Sequence, residues 1–144
     1  NDSIIMGIRN VNTFTNSISF NFVLSNKMYI SFDARHYWSK VDYLTYHQLL
    51  DDGNLSEKIP EYENSNINFN TFNIDLMFSW NFAPGSFLSI VYKNQIYTSE
   101  DFVTISSFPL PGENFTNMFK SPQLNSISFK ILYYFDWQYL QKNA

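Results

Sequence analysis

Thr71-Phe72-Asn73-Ile74-Asp75-Leu76-Met77-Phe78-Ser79-Trp80-Asn81-Phe82 alternates apolar and polar residues almost without a break. Successive side chains of a strand point to opposite faces. Phe72, Ile74, Leu76, Phe78, Trp80 and Phe82 therefore share one face. Thr71, Asn73, Asp75, Ser79 and Asn81 share the other, with Met77 the one apolar residue among them. A helix would scatter both sets around its circumference, so the period of two predicts a strand with one greasy side.

The same pattern recurs on either side. Ile18, Phe20, Phe22 and Leu24 alternate with Ser17, Ser19, Asn21 and Val23. Met28, Ile30, Phe32 and Ala34 alternate with Tyr29, Ser31, Asp33 and Arg35. Near the end, Ile127, Phe129, Ile131, Tyr133, Phe135 and Trp137 alternate with Ser126, Ser128, Lys130, Leu132, Tyr134 and Asp136. Strands are expected near 3–9, 14–24, 28–46, 67–82, 87–97 and 123–139, all within a single segment, 1–144. Ser25-Asn26-Lys27 and Ala83-Pro84-Gly85-Ser86 read as tight turns, because Pro presets φ and Gly supplies a positive one. Residues 47–66, which are acidic, and 98–122 read as long loops.

Composition narrows the class. Of the 144 residues, 44% are hydrophobic, 19% are aromatic and only 15% are charged. Rings pack well on a pleated surface, and Tyr and Trp also suit a membrane–water boundary. A net charge of −4 is unlike the basic footprint of a nucleic-acid binder. Without cysteine there is neither a disulfide framework nor thiolate chemistry. The first residues, NDSIIMGIRN, do not form a signal peptide, and the chain reads as a piece of a longer protein.

Three features favour a membrane setting for the greasy faces. The stretches from Asn68 to Phe82 and from Leu124 to Trp137 exceed the roughly 9–11 residues that cross a bilayer at a tilt. Aromatic residues cluster near strand ends, with Trp38, Tyr43, Trp80, Phe82, Tyr133 and Trp137 as the expected interface aromatics. Charge falls on the polar faces, where Asp33, Arg35, Asp75, Lys93, Lys130 and Asp136 are the expected lumen charges. Short turns alternating with long loops match periplasmic turns and extracellular loops, which puts the C-terminus in the periplasm. An open sheet in lipid would strand backbone polar groups at its edges, so further strands must come from the parent chain or a partner. The expected fold is thus all-β: an antiparallel up-and-down transmembrane β-barrel, of which this chain is the C-terminal part with five or six strands.

Phe69 to Ser86, with its Ala83-Pro84-Gly85-Ser86 turn, the following Leu88 to Asn94, and the ending Pro122 to Asp136 resemble the C-terminal region of a family of Bacteroidota outer-membrane proteins. The resemblance is close over the second half of the chain and looser over the first. It implies a large, uncharacterised β-barrel domain, carried in the family after an N-terminal domain like family-nine carbohydrate-binding modules. That domain is absent from these residues, and the family supplies no catalytic residues to carry over.

No motif carries chemistry. A metal site at His36 or His47 would need carboxylates from the acidic loop, and both read better as boundary or loop histidines. There is no Gly-rich phosphate loop and no nucleophile elbow. The expected role is the non-enzymatic wall and closing strand of a bacterial outer-membrane barrel, with transport or a surface-complex scaffold as the role of the parent protein, and with no cofactor. Its expected partners are outer-membrane lipid and lipopolysaccharide, the barrel-assembly machinery (through the aromatic last strand) and the missing strands, and no nucleic acid. Two alternatives stay open: a soluble lipocalin-like barrel around a small apolar ligand, and a non-catalytic part of a surface glycan-binding or glycan-processing protein.

Overall fold

A computed structural model describes residues 3–59, 65–101, 103 and 108–135. Five strands run in chain order through one antiparallel, up-and-down sheet: β1 (Ile5–Ser25), β2 (Met28–Gln48), β3 (Ile67–Ala83), β4 (Ser86–Asp101) and β5 (Gln123–Leu132). A single helix, α1 (Pro111–Lys120), lies between β4 and β5. The described sheet is open, with β1 and β5 as its edges.

Several expected boundaries change. The segments near 3–9 and 14–24 are one strand of 21 residues. The polar stretch Asn10 to Thr13 does not break it, because an edge strand exposed on both faces tolerates polar side chains there. Part of the expected 47–66 loop returns along the end of β2: Ser56 N–H donates to Gln48 O at 2.9 Å, Ile59 N–H to Tyr46 O at 2.8 Å, and Leu49 bridges Leu55. The expected 98–122 loop contains the end of β4 and all of α1. Pro111 does not prevent the helix: it sits in the first turn of α1, where its missing N–H costs nothing. Glu113 accepts from Leu110 N–H at 3.3 Å and places negative charge at the helix start. β5 ends at Leu132 where strand was expected to 139: residues 133–135 are described but are not strand, and the expected strand residues 136–139 lie outside the described residues.

The chain divides into two compact units. One comprises Ser17–Arg35, Asn73–Gln95 and Leu124–Ala144, and holds both tight turns. Here Ser19 pairs with Asp33 across the β1–β2 hairpin (2.6 Å), while the adjacent Phe20 stacks on Phe32 at 4.9 Å. These pairs mark a polar and a greasy face. The greasy face reappears where Phe82 stacks on Tyr133 at 6.3 Å. Gly85 holds φ +71° in the Pro84–Gly85 turn, and a Cβ there would meet Cβ of Tyr134 at 2.9 Å. That turn needs glycine for both reasons.

The other unit comprises Asn1–Asn16, His36–Phe72 and Ile96–Gln123. Its interior lies between α1 and the sheet. Trp38, Phe72, Ile96 and Met118 are buried there, together with His36, Asn68, Asn70 and Asn114. Phe115 and Phe119, four residues apart on one side of α1, meet Phe72 edge-on at 5.9 and 5.0 Å. Gly7 lets β1 pass close to the Tyr43 ring, whose Cδ1 lies 2.6 Å from where a Cβ would stand.

Candidate functional site

The polar face of the first unit carries four of the six charges expected to line a lumen, Asp33, Arg35, Asp75 and Lys93. Lys93 Nζ and Asp75 Oδ1 are 3.0 Å apart on neighbouring strands, and this is the one ion pair among the described residues. Both side chains are about half exposed or more, so the pair contributes at most ~1 kcal/mol. Arg35, Asn73, Asp75, Lys93 and Gln95 line an open recess of about 250 Å³. Asp33 is engaged by Ser19, and Arg35 forms no ion pair among the described residues. Lys130 is exposed on β5, apart from this cluster, and Asp136 lies outside the described residues.

The expected interface aromatics take several positions. Trp80 is exposed and touches Phe82 at 5.7 Å, and Phe82 in turn stacks on Tyr133. Tyr43 stacks on Tyr46 at 5.5 Å, and its hydroxyl accepts from Arg9 at 3.2 Å. Trp38 is buried: its ring stacks on Phe14 at 5.0 Å, and its indole N–H donates to Asn68 Oδ1 at 2.7 Å. Trp137 lies outside the described residues.

The second unit holds a side-chain network that the sequence reading does not contain. Asn70 and Asn114 pair reciprocally: Asn114 Nδ2 donates to Asn70 Oδ1 at 2.6 Å, and Asn70 Nδ2 to Asn114 Oδ1 at 3.0 Å. Asn68 Nδ2 donates to Asn114 Oδ1 at 3.2 Å and to Glu100 Oε2 at 3.0 Å. His36 Nε2 lies 3.3 Å from Asn70 Oδ1. The reciprocal pair makes that oxygen an acceptor, so His36 Nε2 faces it as a donor. His36 is therefore a buried histidine well inside β2, not a boundary residue. The signal was present in β3: Asn68 and Asn70 continue the face that begins with Phe72, and amides on a covered stripe require partners.

Elsewhere, His47 Nδ1 lies 2.9 Å from Ser56 O and its Nε2 3.1 Å from Thr45 Oγ1. In the acidic turn, Asp52 accepts from the Asn54 side chain at 2.9 Å and from its backbone N–H at 3.0 Å. The side-chain bond, then the backbone bond, hold the Asp52 carboxyl below the usual carboxylate range. Among the described residues, no group of three or more His, Asp or Glu is placed to hold a metal ion. None of the described helices is long and apolar enough to cross a membrane.

The fold and this face together define a class: an up-and-down antiparallel β domain with a charged wall in one unit and an amide-clamped helix in the other. Within that class the chain belongs to a family of domains of unknown function, DUF5916, which matches residues 1–144. No curated protein and no solved structure matches it.

Proposed function

We propose that this chain is a non-enzymatic, lipid-facing wall of a bacterial outer-membrane β-barrel, completed by further strands of its parent protein or of a partner. One observation carries the reading. In the unit holding the tight turns, large apolar side chains stay open on strand after strand: Ile18, Phe20 and Phe22 on β1, Leu76 and Trp80 on β3, Ile127, Phe129 and Ile131 on β5. Phe129 and Ile131 are each 70% exposed. An uncovered patch of this kind marks a surface for lipid or for another protein.

The opposite, charged face supports lipid contact on the greasy side and water on the other. A charge facing hydrocarbon costs about 2–4 kcal/mol at mid-bilayer, whereas a lumen keeps it hydrated. In this reading the turns at Asn26–Lys27 and Pro84–Gly85 face the periplasm, and the long connectors, α1 included, lie outside the cell. Phe82 and Tyr133 form part of an aromatic girdle near the turns. A role in transport or as a surface scaffold belongs to the complete protein.

The test uses the full-length protein with single cysteines replacing Phe129 or Lys130, each carrying a fluorophore, in vesicles of acyl-brominated phospholipid. The barrel wall predicts quenching by bromine at position 129 and by aqueous iodide at position 130. Absence of bromine quenching at both positions, in a protein that stays dissolved without detergent, would point to a soluble barrel with a greasy interior and end the proposal.

A further inference from the structure

We infer that the recess around Arg35 is a binding site for a small oxyanion, the phosphate or carboxylate group of a solute moving along the charged face. The inference names a ligand class for that face. It needs only the sheet geometry and does not depend on whether the greasy side meets lipid.

The argument begins with donors and acceptors. Arg35 presents a planar guanidinium with five N–H donors, always charged and shaped to grip two oxygens of one anion. Among the described residues it has no ion-pair partner, and it is exposed at the mouth of the recess. Of the carboxylates on this face, Asp33 accepts from Ser19 at 2.6 Å, and Asp75 holds Lys93 at 3.0 Å. Asn73 and Gln95 line the same recess and can turn amide N–H groups inward.

Charge does not oppose it. Arg35 and Lys93 balance Asp75 and the neighbouring Asp33, so the surroundings are neutral on a chain of net charge −4, and the guanidinium's directed donors rather than a net field make the site. The volume of about 250 Å³ admits a phosphate or a carboxylate with room for its solute to pass. The wall is open to water, so binding is weak and exchange fast, as suits a relay site better than a storage site.

Asp75 sets the strength. It neutralises Lys93, so the anion competes with the carboxylate for that ammonium. Replacing it, as Asp75→Asn, removes one negative charge from the recess and frees Lys93 for the ligand. Binding then tightens, whereas a structural ion pair would show no such gain.

Phenylglyoxal modification of the full-length protein in detergent tests this, because Arg9 and Arg35 are the chain's arginines and report separately by peptide mass. Arg9 is held over the Tyr43 ring and serves as the internal control. Inorganic phosphate, against sodium chloride of equal ionic strength, is expected to slow modification of Arg35 about threefold while leaving Arg9 unchanged, since pure screening would act on both alike. Asp75→Asn should deepen the protection, and the double variant Asn73→Ala, Gln95→Ala should weaken it. Equal slowing at both arginines, no slowing at either, or an Arg35 that fails to react without phosphate would each overturn the site. The bromine and iodide quenching at positions 129 and 130 reports the barrel independently, so either conclusion can fall without the other.

Discussion

At the scale of single residues, the reciprocal Asn70–Asn114 pair does what an apolar contact cannot: it fixes the rotation of α1 against the sheet. Each amide presents both a donor and an acceptor, so only one register satisfies the pair, with Asn68 and His36 completing it. Asn70→Ala leaves the buried Asn114 Nδ2 without its acceptor and its Oδ1 with Asn68 alone, and should cost roughly 1–3 kcal/mol. Faster hydrogen exchange across residues 111–120, with β1 unaffected, is the expected reading. Asn70→Ala combined with Asn114→Ala should cost less than the two single changes summed, because the second truncation removes a group already unpaired. Glycine makes a second comparison. Gly85 and Gly53 both hold positive φ, +71° and +83°, but a Cβ meets Tyr134 only at Gly85 and open space at Gly53. Gly85→Ala should therefore lower thermal stability more than Gly53→Ala, whose cost is backbone strain alone, about 1 kcal/mol. Asp52 gives a pH dependence of known sign. Its carboxyl is held below the usual range by Asn54, so its contribution to the turn is present above that range and fades as pH falls through the depressed value. The Asn54 amide resonance should follow that titration in the wild type and lose it in Asp52→Asn.

At the scale of elements, strand faces are where sequence and structure agree most directly, and the reason is physical. Alternation in β3 places Asp75 on one face and Phe78 on the other whatever the neighbours do, and the Asp75–Lys93 pair sits on the polar side as the pattern requires. Boundaries are less legible. Asn10 to Thr13 has no periodic signal of its own and becomes strand through pairing with β2, a contact no local window contains. Helix α1 was legible in part: Pro111, Glu113, and then Phe115, Met118 and Phe119 at helical spacing form a start signal and an apolar stripe. What hid it was the density of Pro and Gly around it. The site was legible only as charges on a face, since the pairing of Asn70 with Asn114 spans 44 positions and depends on where α1 docks. A prediction belongs at this scale. Met77 is the apolar intruder on the polar face of β3, and Phe78 sits on the greasy one. Met77→Lys should leave assembly of the full-length protein in the membrane near normal. Phe78→Lys should reduce it strongly, by the ~2–4 kcal/mol that lipid exacts for a lysine. Equal loss from both would mean that the two faces share one environment.

At the scale of the molecule, the two edges decide the architecture. β1 runs for 21 residues and β5 for ten, and no described strand pairs with the outer side of either. In water such a long edge invites pairing with another chain, and in hydrocarbon its unsatisfied groups cost several kcal/mol each. Hydrocarbon therefore demands closure where water does not, and the barrel reading requires strands on both sides of this sheet. Hydrogen exchange at single-residue resolution separates the outcomes. In a strand paired on one side only, protection alternates, because every second N–H points away from the neighbour. Along Ile5–Ser25 of the full-length protein in detergent, the closed architecture predicts slow exchange at consecutive amides, those pointing away from β2 included. Alternating fast and slow amides along β1 would show a permanently open edge, and a wall with an open edge cannot stand in a bilayer.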